Sequence, residues 1–147
     1  MSHPEHYDAV VIGSGQSGNP LAMRFASEGR KVALVERKHI GGSCLNTGCS
    51  PSKTMEASAR TAHLVHRAVD YGIDIMGTVS VNMEKVRDRK RAIVDSFSGG
   101  SRARLEESGV EIIWGEGRFT GTRELEIGLN RGGTRMLRGD LVFIDTG

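Results

Sequence analysis

Apolar positions along the chain fall into two kinds of run. Residues 7–12 form a compact apolar block with adjacent Val10 and Val11, suited to a strand buried on both faces. A helical spacing follows through Leu21, Ala22, Phe25 and Ala26 and stops at Gly29; residues 31–35 then form a second buried strand that ends at Glu36. A helix is expected over 53–70, with Met55, Ala59, Ala62, Val65 or Leu64, and Val69 on one side, running from the preceding loop into the core. After a loop over 71–77, Asn82 can cap a helix from Met83 whose apolar side is Val86, Ile93, Val94, Phe97 and Leu105, with Gly99 and Gly100 expected to kink or break it. Residues 111–114 predict a third parallel strand. Short alternating runs at 118–120, 124–129 and 134–137, separated by glycine turns, suggest an antiparallel meander, and 141–144 a final strand. The expected class is α/β: a parallel sheet with flanking helices plus a small antiparallel β-meander.

With 147 residues the chain fits one domain with a modest core. Its net charge of +2, with both signs interspersed, gives no electrostatic case for nucleic acid or a membrane as partner. The basic run 87–91 falls largely off the apolar stripe and reads as a solvated helix face. Twenty glycines against 5% aromatic residues favour a nucleotide-binding α/β protein over a stacking platform for single strands. His3 and His6 lie in a polar leader and are expected to be exposed spectators. The apolar block behind them is too short for a signal peptide, and no stretch could span a bilayer. A cytoplasmic location is therefore the default.

Directly after the first strand stands Gly13-Ser14-Gly15-Gln16-Ser17-Gly18, a G-x-G-x-x-G spacing. Its position between a strand and a helix turns a weak pattern into a Rossmann-like dinucleotide cradle. Gly13 permits the tight turn, Gly15 lets backbone approach a pyrophosphate, and Gly18 lets the helix pack close to the strand. The helix N-terminus offers N–H donors to the phosphates. Glu36, eighteen residues past Gly18, is placed to accept hydrogen bonds from an adenosine ribose, and Arg37 follows it.

Both cysteines lie in the segment Gly41-Gly42-Ser43-Cys44-Leu45-Asn46-Thr47-Gly48-Cys49-Ser50-Pro51-Ser52-Lys53. On a regular helix five residues rise about 7.5 Å, beyond the roughly 7 Å Cα limit for a disulfide. A redox pair therefore needs a distorted backbone, for which Gly48 is available. Pro51 and Ser52 resemble a helix start. A thiol at that N-terminus is favoured as thiolate, so Cys49 is expected to be the more acidic of the two. Two buried small apolar residues, or half of a zinc site with His39, are the competing readings. His63 and His66 lack a convincing third ligand, and no metal site is assigned.

The flanks of the pair resemble the redox signature of the FAD-dependent pyridine nucleotide–disulfide oxidoreductases. The resemblance implies FAD as cofactor, held by Gly13, Ser14, Gly15, Gln16, Ser17, Gly18, Glu36, Arg37, Gly42, Ser43, Cys44, Cys49 and Lys53. It also implies a Cys44–Cys49 redox disulfide, in which Cys49 faces the flavin and Cys44 attacks substrate, with Lys53 beside the flavin. Gly117, in the segment 115–119, matches a β-turn whose backbone contacts adenine. Asp145-Thr146-Gly147 matches a second nucleotide motif, usually Ala-Thr-Gly, so Thr146 and Gly147 are carried over while Asp145 departs from the pattern. Ser43, Thr47 and Ser50 also depart from the commoner threonine, valine and isoleucine or valine.

By this resemblance residues 1–147 are the N-terminal portion of an incomplete FAD/NAD(P)-binding domain, without the nicotinamide and dimerisation domains, and inactive alone. The longer enzyme would be a homodimer that takes electrons from NAD(P)H. Gln16 with Asn19-Pro20-Leu21-Ala22 is most similar to mercuric reductase-like sequences, making Hg(II) the first substrate expectation, although the cysteines needed to deliver the ion are not found at the N-terminus and the chain ends too early to show any at the other end. A dihydrolipoamide dehydrogenase-like enzyme acting on a small disulfide, or a non-catalytic flavin- or nucleotide-binding fragment, is the alternative.

Overall fold

The computed structural model describes residues 3–147. Five strands, β1 (Glu5–Ile12), β2 (Val32–Glu36), β3 (Glu111–Gly121), β4 (Glu124–Leu129) and β5 (Thr134–Ile144), hydrogen-bond in the closed order β1-β2-β3-β4-β5. The α/β class expected from the sequence is found. Parallel pairing joins β1 to β2, β1 to β5 and β2 to β3, while β4 runs antiparallel to both of its neighbours.

The meander and the parallel sheet are not separate pieces. Residues 111–114 of β3 pair with β2, and from Gly115 onward the same strand pairs with β4. The first half of β5 pairs with β4, and its second half runs along β1 to the match of Ile12 with Ile144. A glycine stands at each changeover, because the strands turn sharply against their neighbours there. A Cβ on Gly115 would lie 2.5 Å from the Gly128 carbonyl oxygen, and one on Gly139 would lie 2.7 Å from the Leu141 oxygen. The segment 115–119 is thus continuous strand rather than the expected β-turn, and the expected runs 134–137 and 141–144 are one strand.

Two apolar layers hold this ring. Inside it lie Tyr7, Val10, Ala33, Val35, Ile113, Leu125, Ile127 and Leu137. Outside, Ala9, Val11, Val32 and Leu34 face Ala22, Ile40, Leu105 and Val110. The alternation along β2 explains why all five of its residues are buried. Each fully buried Val or Leu contributes about 1.5–3 kcal/mol. In β1 the N–H groups of Asp8 and Ala9 both donate to the Lys31 carbonyl; this bulge places Tyr7 in the same layer as Val10. His6 is exposed as expected, but it belongs to β1 rather than a leader, and its Nε2 lies 2.9 Å from Asp140 Oδ1.

The outer layer is covered by α1 (Gly18–Ser27) and by the end of α4 (Met83–Glu107). Asn82 caps α4 as expected, its Oδ1 accepting from the Lys85 N–H at 3.0 Å. The helix runs unbroken through Gly99 and Gly100. Between these elements lie a short helix, α2 (Gly42–Asn46), then α3 (Cys49–His66) and a 3₁₀ turn over Ala68–Tyr71. The expectation that α3 enters the core is corrected. It packs along α4 and buries only Thr54, leaving Leu64 exposed, as is Val69 in the turn that follows. The outer face of the sheet is already taken by α1 and α4. Among the described residues no helix is long and apolar enough to cross a membrane.

Candidate active site

The cradle forms where β1 stops. Gly13 turns the chain with φ +101°, and a side chain there would overlap the carbonyl oxygen of Asp145 at the end of β5. Ser14, fully buried, donates its hydroxyl to Glu36 Oε2 at 2.6 Å, and its N–H reaches the same oxygen at 3.1 Å. Glu36 Oε1 accepts from the Lys38 N–H at 2.7 Å. The N–H of Gly41 donates to the Ser14 carbonyl at 2.9 Å, so the glycine loop, the end of β2 and the start of the cysteine segment are tied at Ser14.

Beyond Ser14 the backbone is poised for an anion. Among the described residues the N–H groups of Gly15, Gln16 and Ser17 have no hydrogen-bond partner, and they precede the N-terminus of α1. The next N–H, that of Gly18, donates to Asp145 Oδ2 at 2.7 Å. A Cβ on Gly42, at φ +62°, would lie 2.9 Å from the Gly15 Cα, so the cysteine segment is pressed against the cradle.

Two adjoining cavities share Gly15, Glu36, Arg37, Gly42, Asp145 and Thr146 in their walls. One, of about 230 Å³, extends to Gly115, Glu116 and Gly117. The other, of about 400 Å³, extends to Ser43, Cys44, Thr47 and Gly147. Together they form a crevice from β3, past the unpaired N–H groups, to the first thiol. Arg37 lies exposed on its rim, Nη1 3.4 Å from Glu116 Oε1.

The cysteine segment is two helices broken at Thr47 and Gly48. Gly48 has φ −113°, so it is not required for a left-handed turn. It is required for closeness, since a Cβ there would lie 3.0 Å from the Ser43 oxygen and 3.2 Å from the Cys44 Cα. Helix α3 starts at Cys49, two residues before the expected Pro51. Both thiols are free, Cys44 partly buried and Cys49 exposed. The Cys44 thiol is held above its ordinary value chiefly by its hydrogen bond to the Cys49 side chain, then by burial. The Cys49 N–H and the Lys53 ammonium pull the other way. The start of α3 thus acts on Cys44 as well, whereas the expectation from sequence was that this helix end favours a Cys49 thiolate.

Of the residues singled out beforehand, Gly13, Ser14, Gly15, Gln16, Glu36, Arg37, Gly42, Ser43, Cys44, Gly117, Thr146 and Gly147 all line this crevice. Cys49 and Lys53 stand outside its wall on α3, and Ser17 and Gly18 stand behind it at the start of α1. Two participants were missed. Gly41 links Ser14 to the cysteine segment, and the Asp145 side chain enters the cradle. The first had a signal in the glycine doublet; the second stood out only as a departure from the usual alanine, and its partner Gly18, far away in the chain, had no signal.

A Rossmann-like cradle that shares its crevice with Cys44, with Cys49 at the start of the next helix, defines a flavoprotein-type disulfide oxidoreductase architecture, and the chain belongs to the pyridine nucleotide-disulphide oxidoreductase family, whose pattern matches residues 7–147. Among individual relatives it is 34% identical over 143 residues to the dihydrolipoyl dehydrogenase of Zymomonas mobilis, covering 97% of this chain and 30% of that protein. It is 36% identical over 144 residues to that of Corynebacterium glutamicum, covering 97% of this chain and 30% of that protein. With that of Bacillus subtilis it shares 38% over 115 residues, covering 78% and 24%. The chain spans under a third of the length of these relatives.

Proposed function

We propose that the chain is the FAD-binding, dithiol-bearing part of a dihydrolipoyl dehydrogenase-like enzyme that exchanges electrons between NAD(P)H and a small dithiol–disulfide substrate. The reading is carried by the crevice itself, because one wall holds both an anion-ready cradle and a thiol. The donor set fits FAD: the Gly15, Gln16 and Ser17 N–H groups would hold its pyrophosphate, Glu36 its ribose and Gly117 its adenine end. Bound FAD would supply a ring able to accept a hydride and to trade an electron pair with the cysteines. Cys44 and Cys49 take up two electrons and two protons as a disulfide opens to two thiols, and release them when it closes. Cys44 is the thiol on the crevice wall; the family resemblance assigns it to exchange with substrate and Cys49, at the start of α3, to partner it toward the flavin. Lys53, one turn into α3, places a cation beside the pair.

The relatives named above favour the dihydrolipoyl expectation over Hg(II) reduction, which nothing in the site singles out. The longer protein is read as a homodimer. Reductive titration of the FAD-loaded chain tests the proposal. Uptake of two electron pairs per flavin, falling to one in Cys49→Ser, is expected. Equal uptake by both proteins, or colourless protein after incubation with FAD, refutes it.

A further inference from the structure

The three glycines of the cradle make room for Asp145 as much as for a ligand. A Cβ on Gly15 would lie 2.7 Å from Asp145 Oδ2, and one on Gly18 would lie 2.8 Å from the same atom. The carboxylate is seated in the space those absent side chains leave, 2.7 Å from the Gly18 N–H. That N–H is its one hydrogen-bond donor among the described residues. Its backbone is fixed there as well, since the Asp145 N–H donates to the Ile12 carbonyl at 2.7 Å. The other charged or titratable groups on the two adjoining cavities are Glu36, Arg37, Glu116, Lys38 and His39, and Arg37 is engaged with Glu116. A negative charge thus already occupies the end of α1 toward which the Gly15, Gln16 and Ser17 N–H groups would draw a pyrophosphate.

Resting on the FAD reading above, we propose that Asp145 is a resident anion that sets nucleotide affinity: its carboxylate caps α1 when the cradle is empty and opposes a pyrophosphate when it is filled. Two consequences have opposite signs, which separates this role from a purely structural one. Removing the charge strengthens nucleotide binding, because two like charges brought together near a protein surface repel by enough to cost about tenfold or more in an equilibrium constant. Removing the cap weakens the empty protein, because the Gly18 N–H loses its acceptor.

The experiment measures FAD dissociation by flavin fluorescence, and melting of the FAD-free chain, for wild type, Asp145→Asn and Asp145→Ala. Asp145→Asn keeps an oxygen for Gly18 and should tighten FAD about tenfold or more with little change in melting. Asp145→Ala should also tighten FAD while lowering the melting temperature of the FAD-free protein. FAD binding by Asp145→Asn equal to or weaker than wild type overturns the inference while leaving the proposed function standing. If neither protein binds FAD, the proposed function falls instead. Inorganic pyrophosphate titrated against the Gly15 and Gln16 amide resonances then decides: tighter binding by Asp145→Asn upholds the inference, and equal binding rejects it.

Discussion

Replacing Ser14 with alanine removes one oxygen from the point where three segments meet. The hydroxyl is buried and donates to the Glu36 carboxylate at 2.6 Å, a hydrogen bond to a charged group that has little water to replace it. Such a bond contributes about 1.5–3 kcal/mol. Glu36 would keep the Ser14 N–H and the Lys38 N–H, so it is weakened rather than abandoned. Gly41 would keep the Ser14 carbonyl. The expected cost is therefore about 2 kcal/mol, which for a chain of this length lowers the melting temperature by about 4–8 °C. Urea unfolding of wild type, Ser14→Ala, Glu36→Gln and the double variant isolates the pair, and a coupling near 1–2 kcal/mol is expected. Ser27→Ala is the control; its hydroxyl bonds an exposed carbonyl, that of Arg24, and the change should stay within about 0.5 kcal/mol. A Ser14→Ala cost under about 0.5 kcal/mol, or a vanishing coupling, would show that the Ser14–Glu36 contact does not hold the cradle.

Cys49→Ala should make Cys44 more reactive toward iodoacetamide at mildly alkaline pH under reducing conditions, because the hydrogen bond that keeps the Cys44 thiol protonated is lost; a slower Cys44 reaction, read by mass spectrometry, would contradict this. Arg135 bonds Glu5 through Nε and Nη2 and reaches Glu111 at 2.8 Å. Arg135 is the main cause of the lowered Glu5 pKa; at Glu111 burial pushes upward, but the Tyr7 hydroxyl and Arg135 together outweigh it. Both carboxylates thus contribute stability above the ordinary value of 4.5 and lose it as pH falls through their lowered values. Arg135→Met should flatten the loss of urea resistance between neutral pH and about pH 3, and an unchanged slope would count against the cluster. Gly99→Ala meets nothing within 4 Å in mid-helix and should stabilise by about 0.5–1 kcal/mol, whereas Gly13→Ala collides with the Asp145 backbone and should lose 3 kcal/mol or more in the same melts.

What could be read from the chain beforehand was whatever short spacing encodes. The glycine motif, Glu36 and the cysteine segment each lie within one strand–turn–helix passage, so residue order alone placed them on one crevice. The Asn82 cap was equally local. The strand corners were not legible, since Gly115 and Gly139 look like turns until the partner strands are known to close a ring. Helix α3 has apolar positions at helical spacing, but whether they meet the sheet depends on α1 and α4 having already covered it. Gly99 and Gly100 each disfavour a helix by about 1 kcal/mol, a local cost outweighed by the length of α4 and the burial of Leu105. The Asp145 contact joins residues at opposite ends of the described chain, and no local pattern could reveal it.

The placement of β1 between β2 and β5 also dictates an order of events during synthesis. Tyr7 and Val10 emerge from the ribosome early, yet their neighbours Leu125, Ile127 and Leu137 are translated well over a hundred codons later. The nascent polypeptide must carry an unfinished apolar surface until β5 clears the exit tunnel, and trigger-type chaperones that shield such surfaces should act on it throughout that interval.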